Sequence, residues 1–293
     1  MRLTGTYTAI VTPFRSDHSV DEDALRSHIR RQLDGGIDGI VPCGTTGETP
    51  TLSMDEYDTV VGITVEEVAG RVPVIAGTGS NHTAGTVAWT KRAKDLGVDA
   101  ALVVTPYYNK PGPAMLEAHY RTVADQGGLP VVLYNVPGRT GINMTASTTI
   151  ALSSHPAIIA VKEASGNLSQ VQEILGGAQD EDFTVVSGDD ALTLPMYSVG
   201  SHGVISVASN VVPAEMKRIH QRYMANDAAG AAEANARLFP LFQALFCESN
   251  PVPCKEALAM LGQMGNTVRP PLGGLQASSV QRVRAVMTGL NLL

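Results

Sequence analysis

The chain has 293 residues, 28 of them acidic and 21 basic, for a formal net charge of −7. With 44% hydrophobic and 17% charged residues, its composition is that of a soluble globular protein and not of a disordered one. The acidic balance and the lack of a basic run argue against nucleic acid or a membrane as partner. No stretch approaches the ~20 apolar residues of a membrane span, and the segment Met1–Gly5 lacks the apolar core of a signal peptide. Cys43, Cys247 and Cys254 are odd in number and show no C-x-x-C spacing. That argues against a disulfide framework or a zinc ribbon and points to a cytoplasmic setting. The seven histidines show no paired ligand spacing, so no metal is expected.

Taken in chain order, short apolar runs rich in β-branched residues alternate with helical patterns. The first strand is predicted over 6–12. Ser19-Val20-Asp21-Glu22 then reads as a capping box, opening a helix that carries Leu25, Ile29 and Leu33 on one face. A strand over 39–43 follows, and a second capping box, Ser53-Met54-Asp55-Glu56, opens the next helix. Further strands are predicted over 72–76, 100–104, 131–134, 158–162, 184–187 and 203–207. Helices are predicted between them over 83–96, 113–126, 145–154, 168–178 and 190–199. Successive strands start 33, 33, 28, 31, 27, 26 and 19 residues apart, the length of a βα unit repeated eight times. The runs are continuous in apolar character, as strands covered on both faces should be. The class is α/β, a (β/α)8 TIM barrel with a C-terminal helical domain. An open doubly wound sheet would use fewer strands and usually carries a glycine fingerprint after the first; Thr12-Pro13-Phe14 has none. Beyond Pro213 only helices are predicted, over 213–225, 228–247, 253–264 and 278–289. The barrel is assigned to residues 1–224 and the helical domain to 225–293.

Active sites in such barrels form at the carboxyl ends of the strands, so the polar residues there are the candidates. Lys162 closes the apolar run Ile158-Ile159-Ala160-Val161. A lysine in that place projects its amine into a partly desolvated cavity, which disfavours the ammonium and favours a nucleophile able to form an imine with a ketone. Position alone also fits a strand-end lysine snorkelling to solvent. The turn Gly44-Thr45-Thr46-Gly47 offers two hydroxyls and backbone N–H groups suited to a small carboxylate, and equally fits a turn chosen for backbone geometry. Tyr134 ends a strand and is either a proton-transfer group or an amphipathic core residue. Arg139 follows on a Pro-Gly loop, where its fork suits a carboxylate or is simply solvated. Cys43 reads as a small buried apolar residue.

Five segments, Gly44-Thr45-Thr46-Gly47-Glu48, Thr105-Pro106-Tyr107-Tyr108-Asn109, Tyr134-Asn135-Val136-Pro137-Gly138-Arg139-Thr140, Val161-Lys162-Glu163-Ala164 and Gly188-Asp189-Asp190, occur in that order. Together they resemble the pyruvate-dependent class I aldolase family of dihydrodipicolinate synthase and N-acetylneuraminate lyase, over nearly the whole chain. The pair Tyr107-Tyr108 and Arg139 resemble the synthase branch. The resemblance implies condensation of pyruvate with L-aspartate-4-semialdehyde, the first step towards diaminopimelate and lysine. The runner-up is another aldolase of the family, acting on a sugar acid or hydroxy-oxoglutarate. The resemblance implies that Lys162 forms the covalent imine with pyruvate and that no separate cofactor is needed. Tyr134 takes the proton-transfer position, with Thr45 and Tyr108 completing a hydroxyl relay, Tyr108 crossing from a neighbouring subunit. Thr46 and Val204 fall at the pyruvate-binding positions, and Arg139 at the position that receives the semialdehyde carboxylate. The implied assembly is a homotetramer built from two tight dimers. Lysine-sensitive members carry histidine and glutamate where this chain has Met54, Tyr57 and Gly85, which implies weak or absent feedback inhibition.

Overall fold

The computed structural model describes residues 1–178 and 182–293. Eight parallel strands alternate with helices: β1 (Gly5–Ala9), α1 (Glu22–Asp34), β2 (Gly39–Val41), α2 (Met54–Val68), β3 (Ile75–Gly77), α3 (Thr83–Asp95), β4 (Ala100–Val104), α4 (Pro113–Gly127), β5 (Val131–Asn135), α5 (Pro137–Thr140), α6 (Ala146–Ser153), β6 (Ile158–Glu163), α7 (Leu168–Gly177), β7 (Thr184–Ser187), α8 (Thr193–Ser198) and β8 (Gly203–Ser206). Four helices follow: α9 (Pro213–Met224), α10 (Ala228–Ala244), α11 (Val252–Met260) and α12 (Ala277–Gly289). The strand order is β2-β1-β8-β7-β6-β5-β4-β3, the sequential parallel order of a (β/α)8 barrel, which the repeat length had predicted. The strands are buried along almost their whole length, because helices cover one face and the barrel interior the other.

The chain groups into two compact units. One holds Met1–Gly5 and Pro73–Ile205; the other holds Thr6–Val72 and Ser206–Leu293. In the first unit β4 pairs with β5, β5 with β6 and β6 with β7, all parallel, with one register irregularity at Val131–Val132 between β5 and β6. Gly203 opens β8 against Gly5, where an added Cβ would lie 2.5 Å from the Gly5 carbonyl oxygen, so only glycine permits that approach. In the second unit Asn210 is a hub beside β1. Its Oδ1 accepts from the Val11 N–H at 3.2 Å and its Nδ2 donates to the Ala9 carbonyl at 2.8 Å. Among the described residues no helix is long and apolar enough to cross a membrane.

Several boundaries differ from the sequence reading, each for a local reason. Ser19 does not cap α1: its hydroxyl donates to Asp17 at 2.6 Å, and Asp21 is the cap, accepting from the Ala24 N–H. The second capping box forms as expected, with Ser53 and Glu56 each satisfying the other's backbone. β1 ends at Ala9 because the Val11 N–H turns to Asn210. β2 ends at Val41 because Cys43 adopts a left-handed φ of 53°. β3 starts only at Ile75, since the Val74 N–H donates to Asp99 Oδ2 at 2.8 Å. The single turn α5 was not anticipated; Pro137 starts it and Gly141, with φ 73°, ends it.

Candidate active site

The parallel register of β5 and β6 sets Tyr134 opposite Lys162 and Asn135 opposite Glu163. Side chains alternate across a strand, so Tyr134 and Lys162 share one face while Asn135 and Glu163 share the other. Lys162 is 5% and Tyr134 6% exposed, and the Lys162 ammonium lies 4.3 Å from the centre of the Tyr134 ring. Within this unit no carboxylate pairs with Lys162 among the described residues. The lysine therefore does not snorkel to solvent; the strand buries it against a phenol. On the opposite face the Glu163 carboxylate accepts from Asn135 Nδ2 at 3.0 Å, from Gln170 Nε2 at 3.0 Å and from the Ser165 N–H at 2.6 Å. Asn135 Oδ1 in turn accepts from the Met144 N–H at 2.9 Å. These bonds cross-link β5 to β6 and hold the register that pairs Tyr134 with Lys162.

Gly188, after β7, leaves room for the lysine. A Cβ there would lie 2.9 Å from Lys162 Cε and 2.7 Å from the Ala164 methyl. Gly188→Ala should displace the amine while the barrel still folds, since overpacking of this size costs ~1–3 kcal/mol. A displacement of about 1 Å lowers turnover by about 10²-fold. Steady-state rates measured alongside melting temperature check this; an unimpaired rate would show that Lys162 has slack.

The other candidates of this unit lie in β8 and on the segments after β4 and β5. Val204 is fully buried in β8, opposite Ser187 of β7. Arg139 lies on α5, exposed and without an ion pair among the described residues of the unit. Tyr108 has a left-handed φ of 72° and is 87% exposed; the structure does not pack it on Tyr134. Lys110, two residues on, is also left-handed. Strain of this kind at non-glycine residues concentrates at functional loops.

The second unit carries the hydroxyl turn. Thr45–Gly47 forms a single 3₁₀ turn between two left-handed residues, Cys43 and Glu48, with φ of 53° and 54°. Burial pushes the Cys43 thiol up, so it stays protonated, as a packed apolar residue would. Thr12 Oγ1 donates to the Gly47 carbonyl at 2.8 Å and Thr49 Oγ1 to the Gly44 carbonyl at 2.9 Å, bracing the turn. Glu48 forms a fully buried ion pair with Lys255 of α11 and accepts from the Arg269 N–H at 3.0 Å. Lys255 also donates to the Thr267 carbonyl at 2.9 Å. The Phe14 ring contacts both cations, its centre 4.1 Å from Lys255 Nζ and 4.2 Å from the Arg269 guanidinium carbon. Burial lowers the Lys255 pKa to about 8, against the opposing pull of Glu48. Thr46 is buried and accepts from Asn250 Nδ2 at 3.0 Å.

Asn135, Glu163, Gly188, Asn250 and Lys255 were not singled out from the sequence. The first three lie inside the recognised segments, where only register reveals their partners. Asn250 and Lys255 lie 204 and 207 residues from theirs, a separation no local pattern carries.

A parallel barrel with a buried lysine–tyrosine pair at the carboxyl ends of adjacent strands, and a braced hydroxyl turn after β2, defines an enzyme of the (β/α)8 class. The chain belongs to the dihydrodipicolinate synthetase family, which matches it over residues 2–290. It is 46% identical to the 4-hydroxy-tetrahydrodipicolinate synthase of Methanospirillum hungatei, over 97% of this chain and 98% of that one. It superposes on the dihydrodipicolinate synthase of Thermotoga maritima with a TM-score of 0.98 at 38% identity, all of both chains being covered. It superposes on the chloride-inhibited dihydrodipicolinate synthase of Acinetobacter baumannii, solved in complex with pyruvate, with a TM-score of 0.96 at 38% identity and 99% of each chain covered.

Proposed function

We propose that the protein condenses pyruvate with L-aspartate-4-semialdehyde to 4-hydroxy-tetrahydrodipicolinate, the first step towards diaminopimelate and lysine. The observation that carries this reading is the buried Lys162 amine, held against Tyr134 by the β5–β6 register, in a chain similar along its length to synthases of that name. Lys162 Nζ adds to the keto carbon of pyruvate, the keto oxygen leaves as water, and the imine loses a methyl proton to give the enamine. The enamine carbon attacks the aldehyde, and the resulting alkoxide takes a proton. The amino group of the semialdehyde then displaces Lys162 from the imine carbon, closing the ring and freeing the enzyme. The protein itself supplies the electron sink, so no separate cofactor is required. Tyr134 moves the protons of these steps, with Thr45 and the Tyr108 phenol of a neighbouring subunit as relay. Thr46 and the backbone at Val204 hold the pyruvate carboxylate. The exposure of Tyr108 supports a tight dimer, two of which make the tetramer. Purified enzyme supplied with pyruvate and a panel of aldehydes tests the reading: turnover with the semialdehyde should exceed that with any sugar-derived aldehyde, and the reverse order would replace it with a sugar-acid aldolase.

Arg139 receives the carboxylate of the second substrate. Arg139→Ala should raise KM for the semialdehyde roughly ten- to hundredfold, the effect of losing a charged hydrogen bond, and leave KM for pyruvate near its starting value. Equal effects on the two constants would remove Arg139 from this role.

Feedback by lysine should be weak. Met54 is exposed and apolar, Tyr57 is buried within α2, and Gly85 offers no carboxylate for an ammonium group. Losing a charge-assisted contact weakens binding by about one to two orders of magnitude. In a titration from micromolar to tens of millimolar lysine, half-inhibition should fall above a millimolar; a value below it would show a counter-charge elsewhere.

A further inference from the structure

We infer that Asn250 is a positioning residue that sets the donor polarity of the Thr46 hydroxyl, and thereby the enzyme's affinity for the pyruvate carboxylate. The inference rests on the proposed role of Thr46 as a carboxylate ligand. A threonine hydroxyl has one proton and two lone pairs, and in a buried turn it ordinarily gives the proton to a nearby backbone carbonyl. Thr49 and Thr51 of the same segment do so, donating to the carbonyls of Gly44 and Glu48, each at 2.9 Å. Thr46, only 3% exposed, behaves differently. Its Oγ1 accepts from Asn250 Nδ2 at 3.0 Å and makes no other hydrogen bond within this unit among the described residues. With a donor on one lone pair and no acceptor for its proton among the described residues of this unit, the hydroxyl is available to donate to an anionic ligand. The arrangement carries a cost. Asn250 Oδ1 is buried and unpartnered, an unfavourable state for an amide oxygen. Turning the amide over would draw the Thr46 proton inward and present the hydroxyl's lone pairs to the carboxylate.

Asn250 is itself anchored to the turn it serves. It lies two residues before the start of α11, whose Lys255 pairs with Glu48, two residues beyond Thr46. The segment from Asn250 into α11 thus reaches the turn twice, once through the Lys255–Glu48 ion pair and once at the Thr46 hydroxyl. This gives part of the C-terminal helical region a place in substrate binding.

Asn250→Asp and Asn250→Ala separate this role from simple packing. Aspartate nearly matches asparagine in shape but, when ionised, only accepts hydrogen bonds. It should capture the Thr46 proton and raise KM for pyruvate about ten- to hundredfold, with kcat much less affected. Alanine frees the hydroxyl to rotate and should raise KM less, by roughly two- to tenfold. Lowering the pH towards the carboxyl's own titration makes the aspartate a donor again, so KM of the aspartate variant should recover there while that of the alanine variant does not. In a Thr46→Val background the alanine substitution should add nothing. A packing role gives the opposite order, aspartate milder than alanine with no recovery at low pH, and would overturn the inference. Borohydride trapping of pyruvate by the unsubstituted enzyme keeps the two readings apart. Failure to trap overturns the proposed function, whereas trapping with an unchanged KM in both Asn250 variants overturns only the role of Asn250. Because both variants could be destabilised, Asn250→Ser supplies a third comparison; its hydroxyl can still donate, and KM below that of alanine is the expected result.

Discussion

Lys162→Arg should be inactive, its rate reduced on the order of 10⁴-fold or more, as expected when a covalent nucleophile is removed. A guanidinium stays protonated and has no free lone pair to add to a carbonyl. It can still fill much of the space of lysine beside the Tyr134 ring, since arginine stacks on aromatic faces. The fold should therefore survive, and the loss is chemical. In the unsubstituted enzyme, borohydride with pyruvate should give a stable secondary amine on Lys162 without added metal or nucleotide, and peptide mapping should place it on that residue alone. The buried Lys255 is the internal control. It is fully enclosed and bound to Glu48 and the Thr267 carbonyl, so it should remain unmodified. An adduct on Lys255, or on any other lysine, would sink the assignment of Lys162.

Tyr134→Phe should lower turnover by about 10²–10⁴-fold, the range for a general acid–base group. The substitution keeps the ring and its 4.3 Å contact with the Lys162 ammonium, and removes only the atom that can carry a proton. Imine formation, enamine formation and protonation of the new alkoxide each require such a transfer. The deficit should appear in kcat more than in KM for pyruvate, because the carboxylate contacts lie elsewhere. Single-turnover trapping should show slowed imine formation at an unchanged end point. Retention of near-normal turnover would remove Tyr134 from the mechanism and leave its phenol as a packing group over the lysine.

The two positions illustrate what was readable before any coordinates. The run Ile158–Val161 followed by Lys162 identified a buried strand ending in a charged group, and the run ending at Tyr134 identified one ending in a phenol one repeat earlier. Both strands proved one residue longer than predicted. The extra residues, Asn135 and Glu163, are polar in a buried position and are accommodated in strand because they bond each other and Gln170, Ser165 and Met144. No periodicity rule admits an asparagine and a glutamate to a buried strand; their mutual hydrogen bonds do. The misassigned cap at Ser19 has the same origin at short range: two residues could each have capped α1, and Asp17 had already engaged one of them.

What the sequence by itself determined is the alternation of eight apolar strands with helices, the class that follows from it, and the loops that carry chemical groups. These are local properties: burial of a strand on both faces and the capping of a helix are written in neighbouring residues. Only the tertiary structure decided which groups meet. The β5–β6 register placed Tyr134 over Lys162 rather than one residue out of phase, where the two side chains would have faced opposite sides of the sheet. The return of the chain at the start of α11 brought Asn250 to Thr46 and Lys255 to Glu48 across more than two hundred residues. Neither pairing has a local signature, because a hydrogen bond or ion pair between distant segments depends on where the chain returns and not on what lies beside it in sequence.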